Sequence, residues 1–127
     1  MNLPFFSVII PVYRDSERLS LCLSRLAAST KTGFDFEVLV VNNDPESLSL
    51  GILRESYPFF LKETVEWKPG SYAARNKGIQ EARGEVLTFT DSDCLPDMDW
   101  LQSAYSAFQK DIKKEIGVLT GPVPLFF

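Results

Sequence analysis

GSYAARNKGIQEARGEVLTFTDSD, residues 70–93, carries the reading of this chain. It opens as a small-residue helix, Ser71–Ala82, with Ala74, Gly78 (or Arg75 with Ile79) and Ala82 on its inner side. A short turn leads into Glu85–Thr90, an apolar segment that reads as a buried strand. Asp91 and Asp93 follow directly, at i and i+2. Side chains two apart in extended backbone share a side, so this pair can face one ligand together. It would do so at the C-terminal end of a strand, where open α/β sheets place their sites. Two carboxylates without His or Cys suit a hard divalent cation, Mg²⁺ or Mn²⁺, shared with substrate phosphates. Spacing alone carries little weight, since Asp97-Met98-Asp99 repeats it. That second pair follows Pro96 and opens a helical pattern, where carboxylates cap free N–H groups.

Upstream, Phe6–Val12 (FSVIIPV) is a near-continuous apolar run, the mark of a strand buried on both faces. A helix follows, apolar at Leu19, Cys22, Leu23, Leu26 and Ala27, with Asp15 or Ser16 as its cap. Phe36–Val41 (FEVLVV) is a second buried strand, closed by the turn Asn42-Asn43-Asp44-Pro45. A weaker helix over Glu46–Glu55 and a short strand over Thr64–Trp67 come next. Downstream lie a helix over Trp100–Gln109 and a last strand over Ile116–Thr120. Strand alternating with helix predicts a three-layer α/β/α sandwich around a mainly parallel, doubly wound sheet. Residues 1–127 read as one domain, the first part of a larger unit, because VLTGPVPLFF ends on uncovered apolar residues. The Phe126-Phe127 end also offers a surface on which two copies could pair.

Composition narrows the function classes. The 127 residues are 45% hydrophobic and 24% charged, the balance of a soluble globular domain. A net charge of −4 argues against a nucleic-acid groove or an anionic membrane surface. No apolar stretch approaches the roughly 20 residues of a membrane span, and MNLPFF lacks the basic start of a secretory signal. Cys22 and Cys94 form neither a disulfide framework nor a metal spacing, so a reducing, cytoplasmic setting is expected. The chain has no histidine, which excludes a His-dependent triad or a zinc-hydrolase scheme in this segment. The turn after the first strand, Pro11-Val12-Tyr13-Arg14-Asp15, holds no Gly-rich fingerprint for NAD or FAD, and no Walker loop is present.

In a parallel sheet the strand ends Pro11–Asp15, Asn42–Pro45 and Asp91–Asp93 converge on one edge, where a nucleotide binds across the switch point. Tyr13 could stack on a base, and Asp15 or Asn42 could bond its edge. Arg75 could reach a phosphate, or pair at the surface with Glu81 or Glu85.

With these residues in place, SVIIPVYR, EVLVVNND and GSYAARNKGIQEARGEVLTFTDSD resemble the nucleotide-sugar half of a family 2 glycosyltransferase with the GT-A fold. The resemblance runs from residue 6 to about 122. It implies base or ribose contacts from Pro11, Val12, Tyr13, Asp15 and Asn42, and Arg75 beside the nucleotide. It further implies that Asp91, Ser92 and Asp93 form the motif that holds the ribose and the metal–diphosphate. The implied activity is inverting transfer from a UDP-sugar or similar donor to a glycan, lipid or other acceptor hydroxyl. The general base and acceptor pocket are expected outside this segment, in a full-length protein that could be membrane-associated. Two departures stand out: Asn42-Asn43 replaces a usual Asp pair, and Cys94 replaces a usual third acidic residue. Asn42-Asn43 and the missing acceptor half motivate an alternative, a non-catalytic nucleotide-binding or interaction module. A nucleotidyltransferase would want a basic Gly-rich loop after the first strand, and only Arg14 is there.

Overall fold

The computed structural model describes residues 3–29, 31, 33–44, 46 and 56–111. Along the chain run β1 (Phe6–Val12), α1 (Ser16–Ala27), β2 (Phe36–Asn42), β3 (Phe60–Val65), α2 (Ser71–Glu81), β4 (Val86–Phe89) and α3 (Trp100–Lys110). Among the described residues the strands form a four-stranded sheet in the order β3-β2-β1-β4, with every pairing parallel. Parallel neighbours need crossover connections; α1 supplies the one from β1 to β2, and α2 carries the chain from β3 to β4.

β1 and β2 lie at the centre because every residue of each is buried. They pair from Phe6↔Phe36 to Val12↔Asn42. Phe6, Val8, Ile10 and Val12 point to one face, where they meet Leu19, Cys22, Leu23 and Leu26 of α1 and Leu101 of α3. The opposite face belongs to α2, which buries Ala73, Ala74 and Gly78. A Cβ at Gly78 would stand 2.5 Å from Ile9 Cγ2, so the missing side chain is what lets α2 lie this close to β1. This is the expected doubly wound, three-layer sandwich, and no helix among the described residues is long and apolar enough to cross a membrane.

Several element readings need correction. The third strand spans Phe60–Val65 rather than Thr64–Trp67, because pairing runs from Glu37↔Phe60 to Asn42↔Val65. Pairing with a buried neighbour outweighed the local appeal of Val65 and Trp67, and Trp67 is 71% exposed. β4 is not buried: it is an edge strand among the described residues, with Leu87 and Phe89 exposed. On α2, Ile79 is exposed and Ala82 lies past the last turn in extended backbone. Asp15 and Asp99 occupy N-cap positions, yet neither side chain makes a capping bond. Of the expected helix over 46–55 only Glu46 is described, in a turn; residues 47–55, the strand over 116–120 and the apolar end at 126–127 lie outside the described residues.

Candidate functional site

Strand order fixes where a ligand can sit. From β1 the sheet continues to β2 and β3 on one side and to β4 on the other, so the switch point lies between β1 and β4. At the C-terminal ends of those two strands opens a cleft of about 330 Å³, at the small end of ligand-binding cavities. Its walls are Pro11, Val12, Tyr13 and Asp15 after β1, Asn43 after β2, Ser71 and Arg75 on α2, and Asp91, Ser92 and Asp93 after β4. Segments far apart in sequence meet here because parallel strands all end on the same edge.

The β1 turn projects its side chains through an unusual backbone. Arg14 has φ 52°, in the left-handed region that non-glycine residues seldom adopt. Its guanidinium is anchored on Asp44 of the neighbouring turn, with Nε donating to Oδ2 at 3.0 Å. The anchored turn leaves Tyr13 58% exposed at the cleft, a face on which a base can stack. Asp15 accepts a bond from Ser92 Oγ at 3.4 Å, joining the β1 and β4 ends.

On the opposite wall Arg75 Nη2 lies 3.2 Å from Asp91 Oδ1, and Nη1 donates to Ser71 Oγ at 3.4 Å. Arg75 thus pairs inside the cleft rather than with Glu81 or Glu85; Glu81 binds Lys62 Nζ at 2.7 Å. Asp91, Asp93 and Cys94 each offer a ligand atom within 4.8 Å of the others. Burial, followed by the neighbouring charges of Asp93 and Asp91, raises the Cys94 thiol despite opposing hydrogen bonds. A thiol kept protonated is a poor ligand for a hard ion, whereas the two carboxylates are the oxygen donors Mg²⁺ and Mn²⁺ prefer. The donor set therefore fits such a cation through Asp91 and Asp93.

Of the residues singled out in the sequence, Pro11, Val12, Tyr13, Asp15, Arg75, Asp91, Ser92 and Asp93 share this cleft. Asn42 stands apart: it is fully buried, and its Oδ1 accepts the Asp44 N–H at 3.0 Å. Its neighbour Asn43 reaches the cleft instead. Sequence reasoning passed over Ser71 and the Arg14–Asp44 pair. Ser71 was legible as a polar residue one turn before Arg75; the ion pair had no signal, since it depends on which turns become neighbours.

Comparison with known proteins agrees with the geometry. The sequence model of glycosyl transferase family 2 matches residues 7–117. Glycosyltransferase AglE of Haloferax volcanii is 40% identical over 108 residues, covering 83% of this chain and 36% of that protein. The poly(ribitol-phosphate) beta-glucosyltransferase of Bacillus spizizenii is 31% identical over 115 residues, 87% of this chain and 18% of its own length. Thus the chain spans little more than a third of the one relative and under a fifth of the other. Among solved structures, S. aureus TarS 1-349 superposes with a TM-score of 0.72 at 28% identity, over 83% of this chain and 32% of that one. The same protein in complex with UDP gives 0.69 at 30% identity, with 83% and 32% covered. Its complex with UDP-GlcNAc gives 0.64 at 30% identity, with 83% and 31% covered.

Proposed function

The chain belongs to glycosyl transferase family 2, and on that premise we propose that its cleft is the donor site of an inverting transferase that uses a nucleotide sugar, a UDP-sugar first among them. The observation that carries this reading is the meeting of an exposed aromatic face, an arginine and two carboxylates at one switch point. The UDP and UDP-GlcNAc complexes of a structural neighbour support the choice of ligand.

The roles divide along the cleft. Tyr13 stacks on the base, with Pro11 and Val12 as the floor and Asp15 bonding the base or ribose edge. Asp91 and Ser92 reach the ribose, and Arg75 turns from Asp91 toward the diphosphate, which its planar fork can grip bidentately. Asp91 and Asp93 would hold Mn²⁺ or Mg²⁺, which when bound neutralises charge on the departing nucleoside diphosphate. The acceptor hydroxyl attacks the anomeric carbon as the bond to the diphosphate breaks, and its proton passes to a carboxylate base. That base and the acceptor pocket belong to parts of the protein outside this segment, so residues 1–127 supply the donor half. Two free cysteines, both buried, keep the cytoplasmic reading.

The test is calorimetric titration of UDP into the chain with and without Mn²⁺, beside an Asp91→Asn/Asp93→Asn variant. Binding should need the metal and weaken at least about tenfold in the variant, the cost of roughly one charge-assisted hydrogen bond. A folded sample that bound no nucleoside diphosphate would overturn the reading.

A further inference from the structure

Trp67 follows β3 with 71% of its surface in water. Strand register sets its place. Val12 pairs with Asn42 and Asn42 with Val65, so β1, β2 and β3 end in one row. Just past that row come Tyr13 after β1, Asn43 after β2 and Trp67 after β3. Tyr13 and Asn43 line the cleft, and the backbone on either side of Trp67 is tied to that wall. Asn43 Nδ2 donates to the carbonyls of Glu66 and Lys68, both at 2.9 Å, one residue before the tryptophan and one after it. The Lys68 N–H donates to Glu66 Oε1 at 3.3 Å, which closes a turn around Trp67. Asn43 Oδ1 accepts the Gly70 N–H at 3.1 Å, and Ser71, next in the chain, is again cleft wall. An indole in water forfeits the apolar area it would bury in a core. Here the pinned backbone keeps it out, and an aromatic presented on a pinned backbone loses little freedom when it meets a flat partner.

We propose that Trp67 is a base-stacking residue of the donor site: Tyr13 and Trp67 stand on either side of the end of β2 and take the nucleobase between them, with its edge over that end. The inference rests on the donor-site reading above and adds a residue for the second face of the base. A base has two π-faces, and the ring of Tyr13 covers one. β1 and β3 are two strand spacings apart, about 9.5 Å. A base between two rings in contact needs about 7–8 Å, so a modest lean of either ring closes the gap. Stacking grips any base, which leaves the choice among bases to the groups along its edge.

The experiment compares wild type with Trp67→Ala and Trp67→Phe, each checked for folding by thermal melting. UDP, UDP-GlcNAc and pyrophosphate are titrated by calorimetry with Mn²⁺ present, and uridine by chemical-shift change. Trp67→Ala should weaken UDP and uridine by the same factor, about tenfold, the size of one base–aromatic stack, and leave pyrophosphate unchanged. Trp67→Phe should restore most of the loss, because it keeps a ring on the same backbone. The chain has two tryptophans, so Trp100→Phe leaves Trp67 as the reporter, and UDP should quench its fluorescence. Undiminished uridine binding in folded Trp67→Ala, an equal loss for pyrophosphate, or a loss confined to UDP-GlcNAc would each overturn the proposal. Wild type that binds no UDP sinks the donor-site reading itself and this inference with it, whereas wild-type binding unaffected by Trp67→Ala sinks this inference alone.

Discussion

Glu37 is a carboxylate only 1% exposed, at the end of the sheet away from the cleft. Burial pushes its carboxyl up, but bonds from Ser7 Oγ (2.5 Å) and from Arg83 N and Nε (2.8 and 3.0 Å), with the Arg83 charge, outweigh it and hold the group low. A group held below its unfolded value, about 4.3, stabilises the fold above that pH and ceases to do so as pH falls toward the folded value. The urea midpoint should therefore drop as pH falls below about 4.3, and drop less steeply in Glu37→Gln, measured by denaturant titration at each pH. Equal slopes would show that Glu37 does not carry the effect. At this scale the sequence was most legible at the cleft, where Tyr13, Arg75, Asp91 and Asp93 follow strand ends or open a helix. It was mute about Ser7, Glu37 and Arg83, because parallel pairing sets Ser7 opposite both Glu37 and Leu87. Cys22 was legible as core, and burial in that core, with the nearby Cys94, Asp91 and Asp93, pushes its thiol up to about 12.

Elements were legible where their own periodicity decided them. The apolar stripe of α1 lands on β1 and β2 as its spacing predicts, and Leu23→Ala should cost about 2–5 kcal/mol in a denaturant melt. α2 is governed by closeness rather than by an apolar stripe. Gly78→Ala would press a methyl against the buried Ile9 side chain, and about 1–3 kcal/mol of destabilisation is expected, by the same melt. Gly84→Ala should be worse, since its Cβ would lie 2.7 Å from Phe6 C and Ser7 N, backbone atoms that cannot rotate away. A milder effect for Gly84→Ala than for Gly78→Ala would contradict this geometry. β3 and β4 were the hard elements. The boundaries of β3 come from the register of β2, and the exposure of β4 comes from its place at an edge among the described residues.

Across the whole molecule, the cleft is made by β1, β2, β4 and their connections together, so a ligand there binds the folded chain and not the unfolded one. UDP with Mn²⁺ at about 100 times its Kd should add about 2.7 kcal/mol and raise the melting temperature by several degrees, read by calorimetric scanning. No shift, under conditions where titration shows binding, would mean that the ligand does not need the assembled edge. The sequence by itself determined the fold class, the central strands, the amphipathic and small-residue helices, and the aspartates after β4, because each depends on neighbours close in the chain. The tertiary structure alone decided that Asn43 rather than Asn42 reaches the cleft, that Arg75 meets Asp91 rather than Glu81, that Arg14 meets Asp44, and that β4 stands at an edge among the described residues. Those outcomes depend on strand order and register, which bring together residues tens of positions apart and which no local pattern encodes.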